Sequence, residues 1–402
     1  MPNAESINAE RVNVECVNDE CVTVDEVMRL CHVTTYAPSY LQRFYDETPD
    51  LAGAPYAAQQ ERLLARRFSW SDFFVTYVRE RGGDGMAIVA NHARAQARWA
   101  KEHGLASAER DAVLLHQIET CAPDVLFFED SFSFPAALLR EARQRVPGLR
   151  VVLGWVGVVS RTTPLARDLD FVVTSAPALD AAAVAAGAKT MTMLHGFEPC
   201  VLDEAPEAGS RFPVTFVGSI AAGIHEDRRQ VLEAAARRAP LVVFSDSLRP
   251  SAGESLRNLA VAAARRRLPS YLRLMTSSLR RHAQPAAYGL EMYSVLRASD
   301  VSINFQGWGV DYFVPNMRLF ETTGMGACMV TDAKPGLDQL FDLEREIVTY
   351  RNPEECAEKV RWLLDHPAER AAIGAAGQRR TLKDHTLRDR VNGLVAQIES
   401  RW

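Results

Sequence analysis

Along the chain, short apolar runs of strand length recur at 28–33, 86–90, 125–128, 151–155, 171–174 and 191–194, separated by longer stretches with helical spacing. The runs do not alternate apolar with polar residues. A strand covered on both faces belongs in a parallel sheet with helices packed above and below it. The pattern stops at 198–211, a polar stretch holding Pro199, Pro206 and Gly209, which reads as a linker. It restarts at 213–217, 241–244, 301–303, 327–330 and 347–349. After Asn352-Pro353-Glu354-Glu355, where Asn caps and Pro fits the first turn, the remainder predicts consecutive helices.

The expected fold is therefore α/β, with two Rossmann-like, doubly wound domains facing a central cleft. The expected divisions are an acidic, disordered tail at 1–26, an N-terminal domain at 27–200, the core of the linker at 201–211, a C-terminal domain at 212–385, and a helix at 386–402 that crosses back to the N-terminal domain. A length of 402 residues suits two domains. Such sheets bind ligands outside the carboxyl ends of their strands, which suggests a nucleotide-type ligand in the cleft.

Composition narrows the classes. Hydrophobic residues at 47% and charged residues at 24% exclude disorder and coiled coils for the body. No apolar stretch reaches the roughly 18 residues needed to span a bilayer and no secretory leader opens the chain, so a cytoplasmic protein is expected. Seven scattered cysteines without a CxxC pair indicate neither a disulfide framework nor a zinc site. The net charge of −5 is concentrated in the first 26 residues, which hold seven acids and one base, so the body is nearly neutral and nucleic acid is not an expected partner. One block differs: 248–283 carries eight arginines against the single acid Glu254. With Leu, Val, Tyr and Met on one face it suits peripheral contact with anionic lipid headgroups or a charged acceptor, although Pro269 interrupts it; a solvated helical insertion covering the C-terminal sheet is the other reading.

The richest stretch runs from Met292 to Asp332. A helix leads to a strand ending at Asn304, a Gly/Trp loop follows, and Pro315-Asn316 opens a second helix. Asn316 is a sound N-cap, and the amides of Met317 and Arg318 at the positive end of the dipole suit a pyrophosphate. Arg318 would add a charged fork. Glu321, one turn further, is placed to accept hydrogen bonds from paired hydroxyls such as those of a ribose, or is a solvated helical acid. Earlier, a strand runs into Gly218-Ser219, where the backbone can approach a phosphate closely, and Arg228 opens a helix from which it can reach the same group. Gly324-Met325-Gly326 follows a helix and precedes a strand, the reverse of a dinucleotide fingerprint, and fits close helix packing. Asp168-Leu169-Asp170 spells a metal-binding DxD but leads into a strand with no further acids.

These segments resemble GT-B glycosyltransferases, in particular the spore-maturation-protein (CgeB-like) group related to glycosyltransferase family 4. The resemblance rests on LHGFEP (194–199), FVGSI with HEDR (216–228), SDVSIN (299–304), NMRLFETTGMGACMVTD (316–332) and HTLRDR (385–390). It implies that Gly218, Ser219, Arg228, Asn304, Asn316, Met317 and Arg318 contact the donor diphosphate and its surroundings, that Glu321 holds the ribose, and that no metal or other cofactor is required. Family 4 enzymes show a second glutamate eight positions earlier; here that position is Phe313, with Asp311 nearby.

On the N-terminal side, Glu129 and Asp130 follow a strand, where either can serve as a general base or order a turn. His92 follows another strand, His195 lies in the crossover loop, and His32 within a strand fits the core. Asp130, His92 and His195 are the candidate catalytic residues. The function expected is metal-independent transfer of a sugar from a nucleotide-diphosphate sugar to an acceptor, with retention as the resemblance implies. The alternatives are a nucleotide-sugar epimerase of the same fold and an inactive nucleotide-sugar-binding assembly subunit.

Overall fold

The computed structural model describes residues 16–17, 20–21, 27–157, 168–175, 177–185, 187–250, 252–306 and 315–401. Two six-stranded parallel sheets organise them. The first contains β1 (Arg29–Thr34), β2 (Asp84–Val89), β3 (Val125–Phe128), β4 (Val151–Trp155), β5 (Phe171–Thr174) and β6 (Thr190–Thr192), in the order β2-β1-β3-β4-β5-β6. The second contains β7 (Phe212–Val217), β8 (Leu241–Phe244), β9 (Ala283–Gln284), β10 (Ser299–Ile303), β11 (Cys328–Asp332) and β12 (Val348–Tyr350), in the order β9-β8-β7-β10-β11-β12. Each sheet is wound outward from its first strand. The winding direction reverses between β1 and β3 in one sheet and between β7 and β10 in the other, and such switch points leave a crevice at the carboxyl ends.

Strands β3 and β4 are buried at every position, as the unbroken apolar runs require. On one face of the first sheet, Phe127 and Leu153 pack against Phe73, Phe74 and Tyr77 of the Phe73–Glu80 helix. Each large apolar side chain buried there contributes about 1.5–3 kcal/mol. The two-residue strand β9 has no apolar run to betray it.

The 198–211 stretch, read as a linker, packs against both halves. Glu198 is buried and accepts a hydrogen bond from the Tyr77 hydroxyl. A short helix, Val201–Glu204, follows, with Val201 in the core. Arg67 grips Glu204 through two bonds of 2.7 and 2.9 Å, and Arg297 donates to the carbonyls of Leu202 and Ala205. The polar residues here satisfy one another and tie the two sheets together. Pro269 likewise does not interrupt a helix; it sits in the first turn of the Leu268–Thr276 helix, where its missing N–H costs nothing. Of the expected tail, Cys16–Val17 and Glu20–Cys21 pair as two antiparallel strands, and the rest of 1–26 lies outside the described residues.

Three helices close the chain: Pro353–Asp365, Pro367–Asp384 and Leu387–Glu399. Asn352 caps the first, accepting from the Glu355 amide at 2.9 Å. The last buries Val391, Leu394, Val395 and Ile398 in the core shared with Phe73 and Phe74 of the first half. The chain thus passes between the halves twice, and the passages lie side by side: the Phe197 amide donates to the His385 carbonyl and the Leu387 amide to the Phe197 carbonyl. Gly196 is required there, since a Cβ would lie 2.7–2.8 Å from the backbone of Thr386 and Leu387.

Candidate active site

At the β7/β10 switch point one hydrogen-bonded chain joins Ser219, Arg228, Asn304 and Asn316 of the residues singled out on the donor side. Gly218 and Ser219 follow β7, and Asn304 and Phe305 follow β10. Arg228, in the first turn of the Glu226–Arg238 helix, donates from Nη1 to the Ser219 carbonyl (2.6 Å) and from Nη2 to the Phe305 carbonyl (3.1 Å). Asn316 donates from Nδ2 to the same Phe305 carbonyl (3.4 Å) and to Asn304 Oδ1 (3.1 Å), while its Oδ1 accepts from the Leu319 amide (3.1 Å) and caps the Met317–Gly324 helix. The amides of Met317 and Arg318 precede that first capped bond and have no acceptor within the helix. Nearby, His225 Nδ1 accepts from the Ala221 amide at 2.9 Å and shapes the turn before Arg228. Burial, aided by the Arg228 charge, pushes this imidazole down to about 4, so it stays a neutral acceptor.

Arg228 is electrostatically conspicuous. Its guanidinium lies 5.7 Å from the Phe216 ring and 5.6 Å from the Phe305 ring, and Nε is buried with no hydrogen-bond partner among the described residues. It makes no ion pair with a described residue, and burial drives its pKa below the ordinary value despite the distant help of Tyr350 and Asp332. A desolvated cation with spare donors is a built anion receptor.

Glu321 and Arg318 are arranged differently from the expectation. Arg318 does not stand over the helix N-terminus as a free fork. It folds back, i to i+3, onto Glu321 Oε2 at 2.6 Å and touches the Met292 sulfur. Glu321 is 4% exposed, so it is not a solvated helical acid, and its Oε1 lies 3.4 Å from the Tyr293 hydroxyl. The Arg318 pair and that hydroxyl fix the carboxylate one turn from the free amides. Phe313 and Asp311 lie outside the described residues.

The first sheet presents a second cluster at its own switch point. Alternation along the strands puts Phe127 and Glu129, Leu153 and Trp155, and Met191, Met193 and His195 on one face. Glu129, 13% exposed in its side chain, accepts from the Ser69 hydroxyl at 2.5 Å and stands 3.4 Å from His32 Nε2. His195 lies against Trp155 and Trp70, with ring centroids 4.9 and 5.5 Å away. That enclosure pushes the His195 imidazole down to about 4, only partly opposed by the Glu129 charge. Nδ1 of His32, Nδ1 of His195, Nε1 of Trp70 and the Ser175 hydroxyl are buried without hydrogen-bond partners among the described residues, and His32 Nε2 and Glu129 Oε2 face each other. These polar atoms at the carboxyl end of the sheet are available to a polar guest.

The other two expected bases do not join this cluster. Asp130 accepts from the Thr35 and Ser133 hydroxyls and the Phe132 amide, so its oxygens are spent ordering the turn after β3. His92 is 1% exposed, packed on Phe44 and Tyr45 and hydrogen-bonded at 2.7 Å to the Tyr45 hydroxyl; burial pushes it down to about 4. It is a core histidine. Glu129, rather than Asp130, is the acid that joins this cluster, and strand parity was the available signal, since Glu129 continues the Val125–Phe127 face whereas Asp130 does not. Asp168 and Asp170 face Arg140 (3.1 Å) and Arg143 (2.6 Å). Gly324 serves close packing as expected, against the Phe197 ring of the crossover, which a Cβ would approach to 2.3–2.6 Å.

Residues 228–396 match the model of the Glycosyl transferase-like family. No curated protein matches the sequence. Among solved structures, an alpha-glucosyltransferase in complex with UDP-glucose and DNA containing an abasic site is 12% identical, with a TM-score of 0.57 over 92% of this chain and 99% of that one. Anabaena HepE in complex with UDP-glucose is 10% identical, with a TM-score of 0.56 over 93% of this chain and 100% of that one. A glycosyltransferase from Rickettsia africae is 12% identical, with a TM-score of 0.54 over 93% and 98%. At such identities the likeness is one of architecture, and the chain has the GT-B fold.

Proposed function

We propose that this chain transfers a sugar from a nucleotide-diphosphate sugar, held by the second sheet, to an acceptor held by the first, without a metal. Within the glycosyltransferases we place it with the spore-maturation-protein group related to family 4, on the motifs given above. The observation that carries the reading is Arg228: a desolvated guanidinium without a carboxylate partner among the described residues, hydrogen-bonded to both sides of a switch point beside two helix amides that have no acceptor within the helix. UDP-glucose in two of the similar structures favours a uridine donor.

In this reading the bond from the anomeric carbon to the diphosphate oxygen breaks, and the amides of Met317 and Arg318 together with Arg228 receive the developing charge. The Glu321 carboxylate, held by Arg318, accepts from the ribose hydroxyls. We take the reaction as retaining, so the acceptor hydroxyl bonds to the anomeric carbon on the face the diphosphate leaves and gives its proton to the departing phosphate oxygen. Glu129 and His195 orient acceptor and sugar. The test is thermal denaturation with UDP, GDP, dTDP, CMP and ADP in the presence of EDTA. One nucleoside diphosphate stabilises the protein; a flat response to all of them removes the donor site.

A further inference from the structure

The Ala252–Ala264 helix is inside out for a helix on the surface of a soluble domain. Ala262 is its buried residue, whereas Leu256 is 70% exposed, Val261 44%, and Leu259, Ala260, Ala263 and Ala264 stand in solvent with them. Positions 256, 259, 260 and 263 follow the i, i+3, i+4, i+7 spacing, so they form one continuous apolar strip. The neighbouring Leu268–Thr276 helix adds Leu272 at 51% exposure. Exposed apolar strips of this kind are interaction surfaces.

The chemistry of the surroundings says what the strip meets. Arg257 lies on the helix, Arg265, Arg266 and Arg267 follow it, Arg249 precedes it, and Arg280 and Arg281 follow the second helix. Of the eight arginines in the block, Arg273 is the one paired with a described acid, Glu226 at 3.5 Å. Arg249, Arg280 and Arg281 line a single open pocket of about 560 Å³ with Leu248, Pro250 and Gln284. Arg249 and Arg280 each spend one donor on a backbone carbonyl, of Ala283 and Met275, and keep the rest of their forks free. Three unpaired guanidiniums around one pocket repel each other until an anion sits among them. The block therefore offers an apolar strip and, beside the residues that lead into its helix, a receptor for negative charge. No helix of the described residues is long and apolar enough to cross a membrane.

We propose that the 248–283 block is a peripheral membrane-binding surface. Leu256 and Leu259, with Ala260 and Ala263, enter the headgroup–acyl boundary of an anionic bilayer, and the pocket of Arg249, Arg280 and Arg281 takes a lipid phosphate. Charge complementarity selects this occupant: an apolar strip fringed by unpaired arginines matches a surface that is apolar within and anionic at its rim. The proposal is independent of the sugar-transfer reading.

The experiment is flotation of the full chain with vesicles of phosphatidylcholine, alone or mixed with phosphatidylglycerol. The protein floats with the anionic vesicles, and raised salt weakens binding. Leu256→Asp with Leu259→Asp lowers the bound-to-free ratio about tenfold or more. Arg280→Glu with Arg281→Glu lowers it at least about 25-fold, each basic group near the surface contributing about fivefold. Both pairs lie in solvent, so melting temperatures stay at the wild-type value, and Leu256→Ser repeats the test with a milder change. The proposal is overturned if the wild type stays with neither vesicle, if it binds neutral and anionic vesicles equally, or if the leucine variants float like the wild type. It is also overturned if inorganic phosphate is bound at the arginine pocket while vesicles are not, or if light scattering finds a dimer that Leu256→Asp dissociates, which would make a second copy the occupant.

Discussion

Replacing Arg228 by Gln tests the donor site most directly, because a structural and a ligand-binding role predict opposite patterns. The guanidinium has five N–H donors, of which two are spent on the carbonyls of Ser219 and Phe305 and the Nε one is buried, leaving two for a ligand. Charge-assisted hydrogen bonds to a diphosphate contribute about 1.5–3 kcal/mol each, so losing the fork costs about 3 kcal/mol, roughly 150-fold in Kd. A nucleotide at about 100 times its Kd stabilises the wild type by about 2.7 kcal/mol; at the same concentration the variant gains only a few tenths, and its thermal shift disappears. Without nucleotide the balance is different. Gln removes a desolvated, unpaired cation and keeps a donor, so the ligand-free melting temperature moves by only a few degrees. Arg228→Lys keeps charge without the fork and recovers part of the affinity. Melting curves with and without nucleotide, followed by calorimetric titration, decide the matter. Wild-type affinity in Arg228→Gln, or a collapse of its ligand-free stability, would refute the reasoning.

Three further outcomes are expected. Glu129→Gln leaves nucleotide-induced stabilisation intact and slows hydrolysis of the sugar nucleotide by about tenfold or more, and unchanged hydrolysis would remove Glu129 from the site. His92, ordinarily near 6.5 and pushed down to about 4 by burial, is neutral in the fold. The unfolded chain therefore takes up its proton first: stability is full above pH 6.5, falls toward pH 4 and then levels, by about 3 kcal/mol in all and about 2 by pH 5. Urea titrations between pH 7 and 5 should show that slope flattened in His92→Gln; an equal slope would clear His92 of the effect. Gly324→Ala drives a methyl into the buried Phe197 ring and costs about 1–3 kcal/mol in urea unfolding, whereas a change within about 0.5 would show that the ring can yield.

The sheets were legible because burial on both faces leaves an unmistakable trace: the runs at 125–128, 151–155, 171–174 and 241–244 are the observed strands. A two-residue edge strand such as β9 leaves none. The donor half was legible for a local reason, since an N-cap at Asn316 and a Gly after a strand are features of a few adjacent residues. Errors arose where partners are distant in sequence. Nothing near Asp130 announces the Thr35 hydroxyl that occupies it, nothing near His92 announces Tyr45, and the acids of 198–211 look solvated until Arg67 and Tyr77 are brought to them. Arg318 and Glu321 are only three positions apart, yet their pairing depends on the rotamer of a long side chain, which spacing alone does not choose.

The two passages between the halves, parallel where they are pinned together at Phe197 and His385 with no room for a side chain at Gly196, amount to a strap hinge with two leaves on one pin. The halves are not joined by a single thread, so any opening would have to bend both leaves at the same height. The final helix, whose Arg388 and Glu399 hold Glu80 and Arg81 of the opposite half, travels with that half as a counterweight. Cutting the chain ahead of Leu387 would leave one leaf.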